Sequence, residues 1–286
     1  MNLYKKIAIL FVFLISTQSQ AFDNVADSEV LLNLKKSESV QSLPLQLHIV
    51  SWNIEKAKKK EKWRQDFIDL TSGSDLVLLQ EGMSDNYLPS VLIESEQTDW
   101  WMAQSWRDKK GYSTGVITGS VGQSISQHFL RSPDAEPIAN TPKMSLVQTY
   151  RLENGEILLL INVHGINFVL TPSFKKQMNE ILKVIDAGLV MNPNMKIVFA
   201  GDFNTWNVDR MRFIAEELNK RSFAHVVFEQ DQRRMKLDHV FVKGCSIETA
   251  VLHSKIKTSD HFPVSVDLDC AKETGIGWAV DASHQY

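Results

Sequence analysis

Four short apolar runs set the strongest limit on what this chain can fold into. LHIVSW, DLVLLQ, ILLLINV and KIVFAG are rich in Val, Ile and Leu and bounded by Gly, Asp or Asn, and none exceeds seven residues. A core helix needs roughly ten or more residues, so runs this short read as strands buried on both faces. Two stretches near them carry helical periodicity instead. The spacing predicts a helix over Ser173 to Ala187, with Phe174, Met178, Ile181, Leu182 and Ile185 on one face, Pro172 before it and Gly188 after it. A second spans Val208 to Lys220, with Met211, Ile214, Ala215 and Leu218.

At about 150 residues per domain, a chain of 286 makes two small domains or one large one. The unbroken alternation of runs and helical patterns favours a single α/β domain over residues 45–270. With 43% hydrophobic residues the chain is too apolar to be disordered, and 2 Cys are too few for a disulfide-dense scaffold. Lys and Arg number 31 against 34 Asp and Glu, so whole-molecule attraction to nucleic acid or an anionic membrane is not expected. Any polyanion contact must come from a local patch.

Residues 1–21 do not read as part of the fold. Lys5 and Lys6 precede the apolar run Ile7 to Ile15, and Ser19-Gln20-Ala21 supplies small residues at both specificity positions of a signal peptidase. The run is too short for a hydrocarbon core that needs about 20 residues, so a cleaved signal is expected, with no stable membrane anchor afterwards. The mature protein is then expected in the periplasm or outside the cell. Residues 22–44, polar and broken, read as a leader packed loosely on the domain, and residues 271–286 as a C-terminal tail. No obligate protein partner is evident.

Each apolar run leads into a residue able to bind a metal or a phosphate. LHIVSW runs into Asn53, DLVLLQ into Glu81, ILLLINV into His164, and KIVFAG into Asp202, two residues before Asn204. Any one of them is most simply a solvated loop start. Together, and joined by Asp238 in KLDHVFV and Asp260-His261 in TSDHFPV, they match the strand carboxyl ends where sheet proteins gather ligand-binding groups. A Glu with a nearby Asp or Asn is the hard-oxygen set that suits Mg²⁺, and His/Cys clusters at zinc spacing are absent. An Asp beside a His can fix its tautomer and stabilise its cation. That combination describes metal-assisted phosphoester hydrolysis.

WN at 52–53, QE at 80–81, NVHGINF at 162–168, GDFN at 201–204, LDHVFV at 237–242 and SDHFP at 259–263 occur in the order of the endonuclease/exonuclease/phosphatase superfamily, which the chain resembles over residues 48–268. The stretch from NVHGINF through GDFNTW and DQRR to SDHFP also resembles its bacterial YafD-like branch. The resemblance implies the deoxyribonuclease-I-like fold: an α/β four-layer sandwich of two mainly antiparallel sheets packed face to face and flanked by helices, with the site at one edge. It implies Mg²⁺ (or Mn²⁺) held chiefly by Glu81, assisted by Asn53 and Asp260. Asp202 would position or deprotonate the attacking water, and Asn204 would donate to the phosphoryl oxygens. His261, paired with Asp238 or Asp260, would be the base or a phosphate clamp. His164 and Asn167 match positions that contact the scissile phosphate in relatives. One departure concerns His164: in deoxyribonucleases of this fold a Glu partners the corresponding His, and GYSTGVITGS before it offers no carboxylate. Phosphate binding therefore suits His164 better than a general-acid role.

Trp206, two residues beyond Asn204, is expected to wall the site. The run Lys56 to Arg64 is by default a solvated face, yet it begins three residues after Asn53, which makes Lys58 and Lys59 candidates to touch an anionic substrate. Trp100, Trp101, Trp106 and Tyr112 read as core or loop packing ahead of a base-stacking or lipid-inserting surface. His48, His128, His225, His253 and His284 lie outside the motifs and read as structural or exposed, while His239, next to Asp238 in a strand, faces the opposite side.

These readings converge on an exported Mg²⁺-dependent phosphodiesterase. Nucleic acid is the leading substrate, gripped by the basic loop with Arg233, Arg234 and Lys236. A phospholipid or other small phosphoester is the alternative. A catalytically silent binding protein on the same scaffold is the rival, disfavoured because no motif has lost its central residue. Finally, Cys245 and Cys270 bracket SIETAVLH and PVSVDLD. An antiparallel register with Leu252 opposite Pro263 would set the two cysteines opposite each other, away from Asp260 and His261, where an exported protein could bridge them.

Overall fold

Each of the four apolar runs is a strand, and together they supply the middle of two sheets. The structure is a computed structural model that describes residues 23–37, 41–137 and 140–272. The expected export signal, the tail beyond Lys272 and His284 lie outside the described residues. The strands are β1 (Asp23–Asn24), β2 (Leu31–Lys35), β3 (Gln46–Asn53), β4 (Leu76–Met83), β5 (Asp99–Arg107), β6 (Ser113–Ser120), β7 (Ser124–Arg131), β8 (Met144–Arg151), β9 (Ile157–His164), β10 (Lys196–Asp202), β11 (Ala224–His225), β12 (Asp238–Lys243), β13 (Ser246–Leu252) and β14 (Val264–Asp269). The helices are α1 (Glu61–Thr71), α2 (Tyr87–Leu92), α3 (Thr171–Met191) and α4 (Val208–Asn219). One sheet runs β1-β5-β6-β4-β3-β14-β13 with β2 also paired to β5, and the other runs β11-β12-β10-β9-β8-β7. Both are mainly antiparallel, and each contains one parallel pair, β3 with β4 and β9 with β10. Among the described residues no helix is long and apolar enough to cross a membrane.

Alternation along the strands builds the layers. Leu47, Ile49, Leu76 and Leu78 from one sheet meet Leu158, Leu160, Val198, Ala200, Val240 and Val242 from the other in the core between them. The intervening Leu159, Ile161, Val163, Ile197, Phe199 and Phe241 pack outward under α3 and α4. On the opposite side Trp52, Val77 and Leu79 receive Trp63 and Phe67 of α1 and Leu88, Val91 and Leu92 of α2. The expected four-layer sandwich is therefore the fold, and the runs read as continuous apolar stretches because both of their faces are covered.

Three expectations need correction. The first is the leader, which does not pack loosely: β1 and β2 both pair with β5, and Val25 and Val30 plug a cluster with Ala103, Val116, Met144 and Leu146. Two isolated valines leave no periodic pattern, so tertiary contacts alone order this segment. The second is α3, which runs on through Gly188 to Met191: Gly188 is not in the left-handed conformation that ends a helix, and a β-carbon there would press on Met195 in the loop that follows. The third is the register of β13 with β14. Leu252 lies opposite Val264, one residue from the expected Pro263, and this offset holds to Thr249 opposite Asp267. A bulge then absorbs Glu248, so Ile247 faces Leu268 and Ser246 faces Asp269. Beyond the bulge the cysteines are opposed as expected, bridged, with Cα atoms 4.1 Å apart.

The bridge lies at the end of the hairpin away from His261, and both sulfurs belong to the inter-sheet core. Closing a loop of 25 residues stabilises the fold by about 3 kcal/mol in the chain-entropy model. Replacing both cysteines with Ser should lower the melting temperature by on the order of 10 °C and leave turnover below that temperature near wild type. An unchanged melting curve would show that the core holds this hairpin without the bond.

Candidate active site

Strand parity assembles the site. Asn53, His164, Asp202 and Asp238 each occupy an inward-facing position at the end of the sandwich where β3, β9 and β10 finish and β12 begins. Register then fixes their neighbours: Asp202 pairs with His164 across the parallel ladder and with Asp238 across the antiparallel one. Gly201, at φ 138, precedes Asp202, and a β-carbon there would collide with the Val163 carbonyl oxygen. Only glycine allows β9 and β10 to close at this point.

Glu81 breaks the parity rule. It follows the inward-facing Gln80 and would point outward in a regular strand, but β4 carries a bulge between Leu79 and Gly82, and Glu81 sits in the left-handed region at φ 54. The bulge re-aims its side chain. Gln80 donates through Nε2 to Asn162 Oδ1 on the opposite sheet at 2.8 Å, and Asn162 Nδ2 donates to the Ile117 carbonyl at 2.9 Å. A polar bolt thus joins the two sheets directly beneath the site.

Asp202 is the hub. Its Oδ2 accepts from Asn53 Nδ2 at 3.0 Å, its Oδ1 accepts from the backbone N–H of Asn204 at 2.9 Å, and His164 Nε2 lies 3.5 Å from Oδ2. Burial and then the charge of Asp238 push its carboxyl well above the usual range. Asn204, at φ 53, also donates to the Gly165 carbonyl at 2.9 Å. His164 stays neutral, because burial and the positive charges of Lys143, His261 and Lys56 hold it well below the ordinary imidazole range.

His261 lies between the two buried carboxylates. Its Nδ1 is 2.9 Å from Asp238 Oδ2 and its Nε2 is 3.9 Å from Asp202 Oδ2. Burial works against its charge, but Asp238, Asp202 and Asp260 outweigh that and raise it to about 10. Its partner is Asp238; Asp260 is exposed and bonded to Ser259. The loop carrying them is pinned by Ser259 Oγ donating to the Asn53 carbonyl at 2.6 Å and by Trp52 Nε1 donating to the His261 carbonyl at 3.1 Å.

Two sets of groups could hold a cation. Asp202, Asp238 and His261 present atoms within 4.8 Å of one another, but a histidine kept protonated by both carboxylates is a poor ligand. Glu81 and the exposed Asp260 offer carboxylate oxygens, and the buried Asn53 offers its Oδ1, which accepts from the Glu55 N–H; such oxygen donors suit a hard divalent cation. Against Glu81 Oε2 stands the Lys56 ammonium, 3.6 Å away.

The expected substrate contacts are met unevenly. Lys58 is bound to Glu55 at 2.5 Å and also feels the charges of Glu81 and Asp260, Lys59 is bound to the Lys257 carbonyl and Lys60 to Asp85 at 3.1 Å, so all three fasten their loop. Arg233 is also no polyanion contact: it forms a two-pronged pair with Asp231, at 2.9 and 2.8 Å, and donates to the Asp238 carbonyl at 3.0 Å. The fork is spent on positioning Asp238. Asn167 accepts from the Phe168 N–H at 2.8 Å and is anchored through its own N–H to Glu136, which pairs with Lys143 at 3.4 Å. Trp206 is half-exposed beside Asn204, its ring 4.6 Å from the Arg210 guanidinium.

Trp100 is buried in β5 among Trp52, Trp63 and Phe67, and Trp101 packs on the cluster of Val25 and Val30 on the other face, as core residues do. His239 faces the helical layer, meeting Thr205 at 2.7 Å and His225 at 3.1 Å. The residues that sequence reasoning missed are Glu136, Lys143, Arg233 as a brace, and Arg210, while Lys56 belongs to the basic run expected to meet an anionic substrate. Arg210 had a signal, since it shares the apolar face of α4 with Ile214 and Leu218. It is fully buried and donates to the carbonyls of Ile166, Asn204 and Val169 at 2.8, 2.9 and 2.6 Å, which clamps the loops after β9 and β10 together. Phe168 and Leu170, on the first of those loops, stand 71% and 79% exposed.

The fold and this cluster define a class. Among solved structures, an endonuclease/exonuclease/phosphatase from Beutenbergia cavernae DSM 12333 superposes with a TM-score of 0.63 at 17% identity, over 78% of this chain and 71% of that one. The catalytic domain of human Nocturnin superposes with a TM-score of 0.61 at 16% identity, over 82% and 96%. The fold is that of the endonuclease/exonuclease/phosphatase superfamily. No family model matches the chain. A UPF0294 protein of Vibrio vulnificus (strain YJ016) is 30% identical over 230 residues, 78% of this chain and 76% of the relative. The chain belongs to this UPF0294 family, the YafD-like group whose motifs it carries.

If Asp238 sustains the charge on His261, Asp238→Asn should bring the imidazole titration, read by NMR, down from about 10 by two units or more. A midpoint that does not move would remove Asp238 from its role.

Proposed function

We propose that the protein is an exported, Mg²⁺-dependent phosphodiesterase that hydrolyses its substrate with a water molecule activated at Asp202. The observation that carries this reading is the buried Asp202 carboxyl, held by Asn53 and Asn204 beside the His261–Asp238 pair and the oxygen donors of Glu81. A cation on Glu81, with Asn53 and Asp260, would supply charge stabilisation at a phosphoryl oxygen. The chain's own groups supply the rest. Asp202, raised toward neutrality by burial, is matched to take the proton of the attacking water as its oxygen bonds to phosphorus, while the P–O bond to the ester oxygen breaks and that oxygen leaves with a proton from solvent. His261, kept charged by Asp238, Asp202 and Asp260, suits a phosphate clamp better than a base. Asn167 and neutral His164 would donate to the phosphoryl oxygens, joined by Asn204 if its amide exchanges the Gly165 carbonyl for substrate.

Nucleic acid is the leading substrate class, on the strength of the diester chemistry and the superfamily likeness. Tethering of Lys58, Lys59, Lys60 and Arg233 narrows the basic surface available to a polymer, and the exposed Phe168 and Leu170 beside Asn167 favour a phospholipid as the second reading.

A panel of DNA, RNA, phospholipid and phosphomonoester substrates, run with Mg²⁺ and with chelator, tests both class and cofactor. Hydrolysis of a diester should need Mg²⁺ or Mn²⁺, and Asp202→Asn should lower kcat by about 10²-fold or more with the circular dichroism of the fold intact. Full activity in chelator, or near-normal turnover in Asp202→Asn, would refute the mechanism.

A further inference from the structure

The basic loop is built to deliver one lysine and to restrain the others. Glu55, Lys56 and Ala57 are three successive non-glycine residues in the left-handed region, at φ 47, 58 and 50, and Lys60 is a fourth at φ 45. Such runs occur only where surrounding structure imposes them, and they cluster at functional sites. Several contacts impose this one. Asn53 Oδ1 accepts from the Glu55 N–H at 3.2 Å, Ala57 is buried among Trp52 and Trp63, and Lys58, Lys59 and Lys60 are tied to Glu55, the Lys257 carbonyl and Asp85. Of these lysines Lys56 is the one ion-paired with Glu81, its Nζ 3.6 Å from Oε2 and its charge felt by His164, while Lys58 feels Glu81 and Asp260 from its place on Glu55. The other end of this ion pair is strained too, because Glu81 owes its aim to the left-handed bulge of β4. Two unfavourable backbones thus converge to bring an ammonium onto the carboxylate best placed to hold a cation.

We propose that Lys56 is a phosphate-binding residue of the site, stored on Glu81 while no divalent cation is bound and turned to the phosphoryl oxygens when Glu81 takes one. The proposal rests on the metal-dependent reading of the site given above. Its logic is exchange: the ammonium and a divalent cation compete for one carboxylate, and the displaced ammonium stays within reach of the place where His164 and Asn204 would meet the phosphate. A lysine suits this task, being a compact charge on a flexible stem with three donors and no fixed fork.

Competition predicts effects of opposite sign. Lys56→Asn removes the charge and keeps a residue that tolerates positive φ. In calorimetric titration of the metal-free protein it should bind Mg²⁺ tighter than wild type by about threefold or more, because the competing cation is gone. With Mg²⁺ saturating, it should bind inorganic phosphate several-fold more weakly, and kcat/KM for a diester should fall about tenfold or more. Lys56→Arg should stay close to wild type in both titrations. Lys62→Asn, which removes an exposed charge from α1, should change neither. A residue that only supported the loop would weaken metal and phosphate together. Mg²⁺ affinity that is unchanged or reduced in Lys56→Asn, or undiminished phosphate binding, would overturn the proposal. If wild type hydrolyses no ester in the panel, the functional reading fails, while the two titrations still decide the role of Lys56. Thermal melts of Lys56→Asn and Lys56→Arg report whether either variant has lost its fold.

Discussion

The hydrogen bond between Gln80 and Asn162 holds the two halves of this molecule in the one alignment that produces a site. It crosses the gap between the sheets at the last inward-facing position before β4 ends, joining the parallel pair that carries Asn53 and Glu81 to the pair that carries His164 and Asp202. Apolar packing between sheets is non-directional and would tolerate sliding. A buried amide pair does not, because leaving either group unpaired costs about 1–3 kcal/mol. Asn162 adds bonds to the Leu79 and Ile117 carbonyls at 3.2 and 2.9 Å, so a shift of one residue in either sheet would break several contacts at once. The same slip would carry Asp202 and His164 out of line with Asn53 and Glu81.

Above that bolt the protein accepts costs that packing alone would not choose. Asp202 and Asp238 are buried side by side on adjacent strands, and His261 and Arg233 are the positive charges that make this tolerable. Left-handed backbone at Glu55, Lys56, Ala57 and Glu81 adds roughly 1–2 kcal/mol for each residue. The inter-sheet core, continuous from Leu47 to the bridged cysteines, is the reserve against which these are held. Repelling carboxylates, strained loops and the largely buried charges of His261 and Arg233 coincide at this end of the sandwich.

The architecture was legible because buried strands announce themselves by length and composition, and because each run handed over to a polar residue at its carboxyl end. Parity even placed His239 away from Asp238, which the contact with Thr205 bears out. Bulges were not legible. An extra residue at Glu81 or Glu248 leaves no mark in a hydrophobic pattern, yet one re-aims a candidate ligand and the other shifts the catalytic end of the β13–β14 hairpin by one position. Charge partners were equally hidden. Arg233 and Lys58 look alike in sequence as exposed basic residues, and only the fold reveals that Asp231 takes one and Glu55 the other. The segment from Asp23 to Ser37 was misread because the short strand carrying Leu31 and Leu34, with two isolated valines, is too brief a pattern to announce its pairing with β5.

Arg210 gives the cleft two walls of unequal compliance. One guanidinium binds the loops after β9 and β10 at three carbonyls, out of reach of solvent ions, so that wall moves as a single piece or not at all. The facing wall, from Ile54 to Lys60, has a buried part, where Ile54 and Ala57 pack with Trp52 and Trp63, and a surface part, where added salt weakens the ion pairs of Lys58 and Lys60. Ionic strength therefore loosens only the outer edge of one wall and leaves the other untouched.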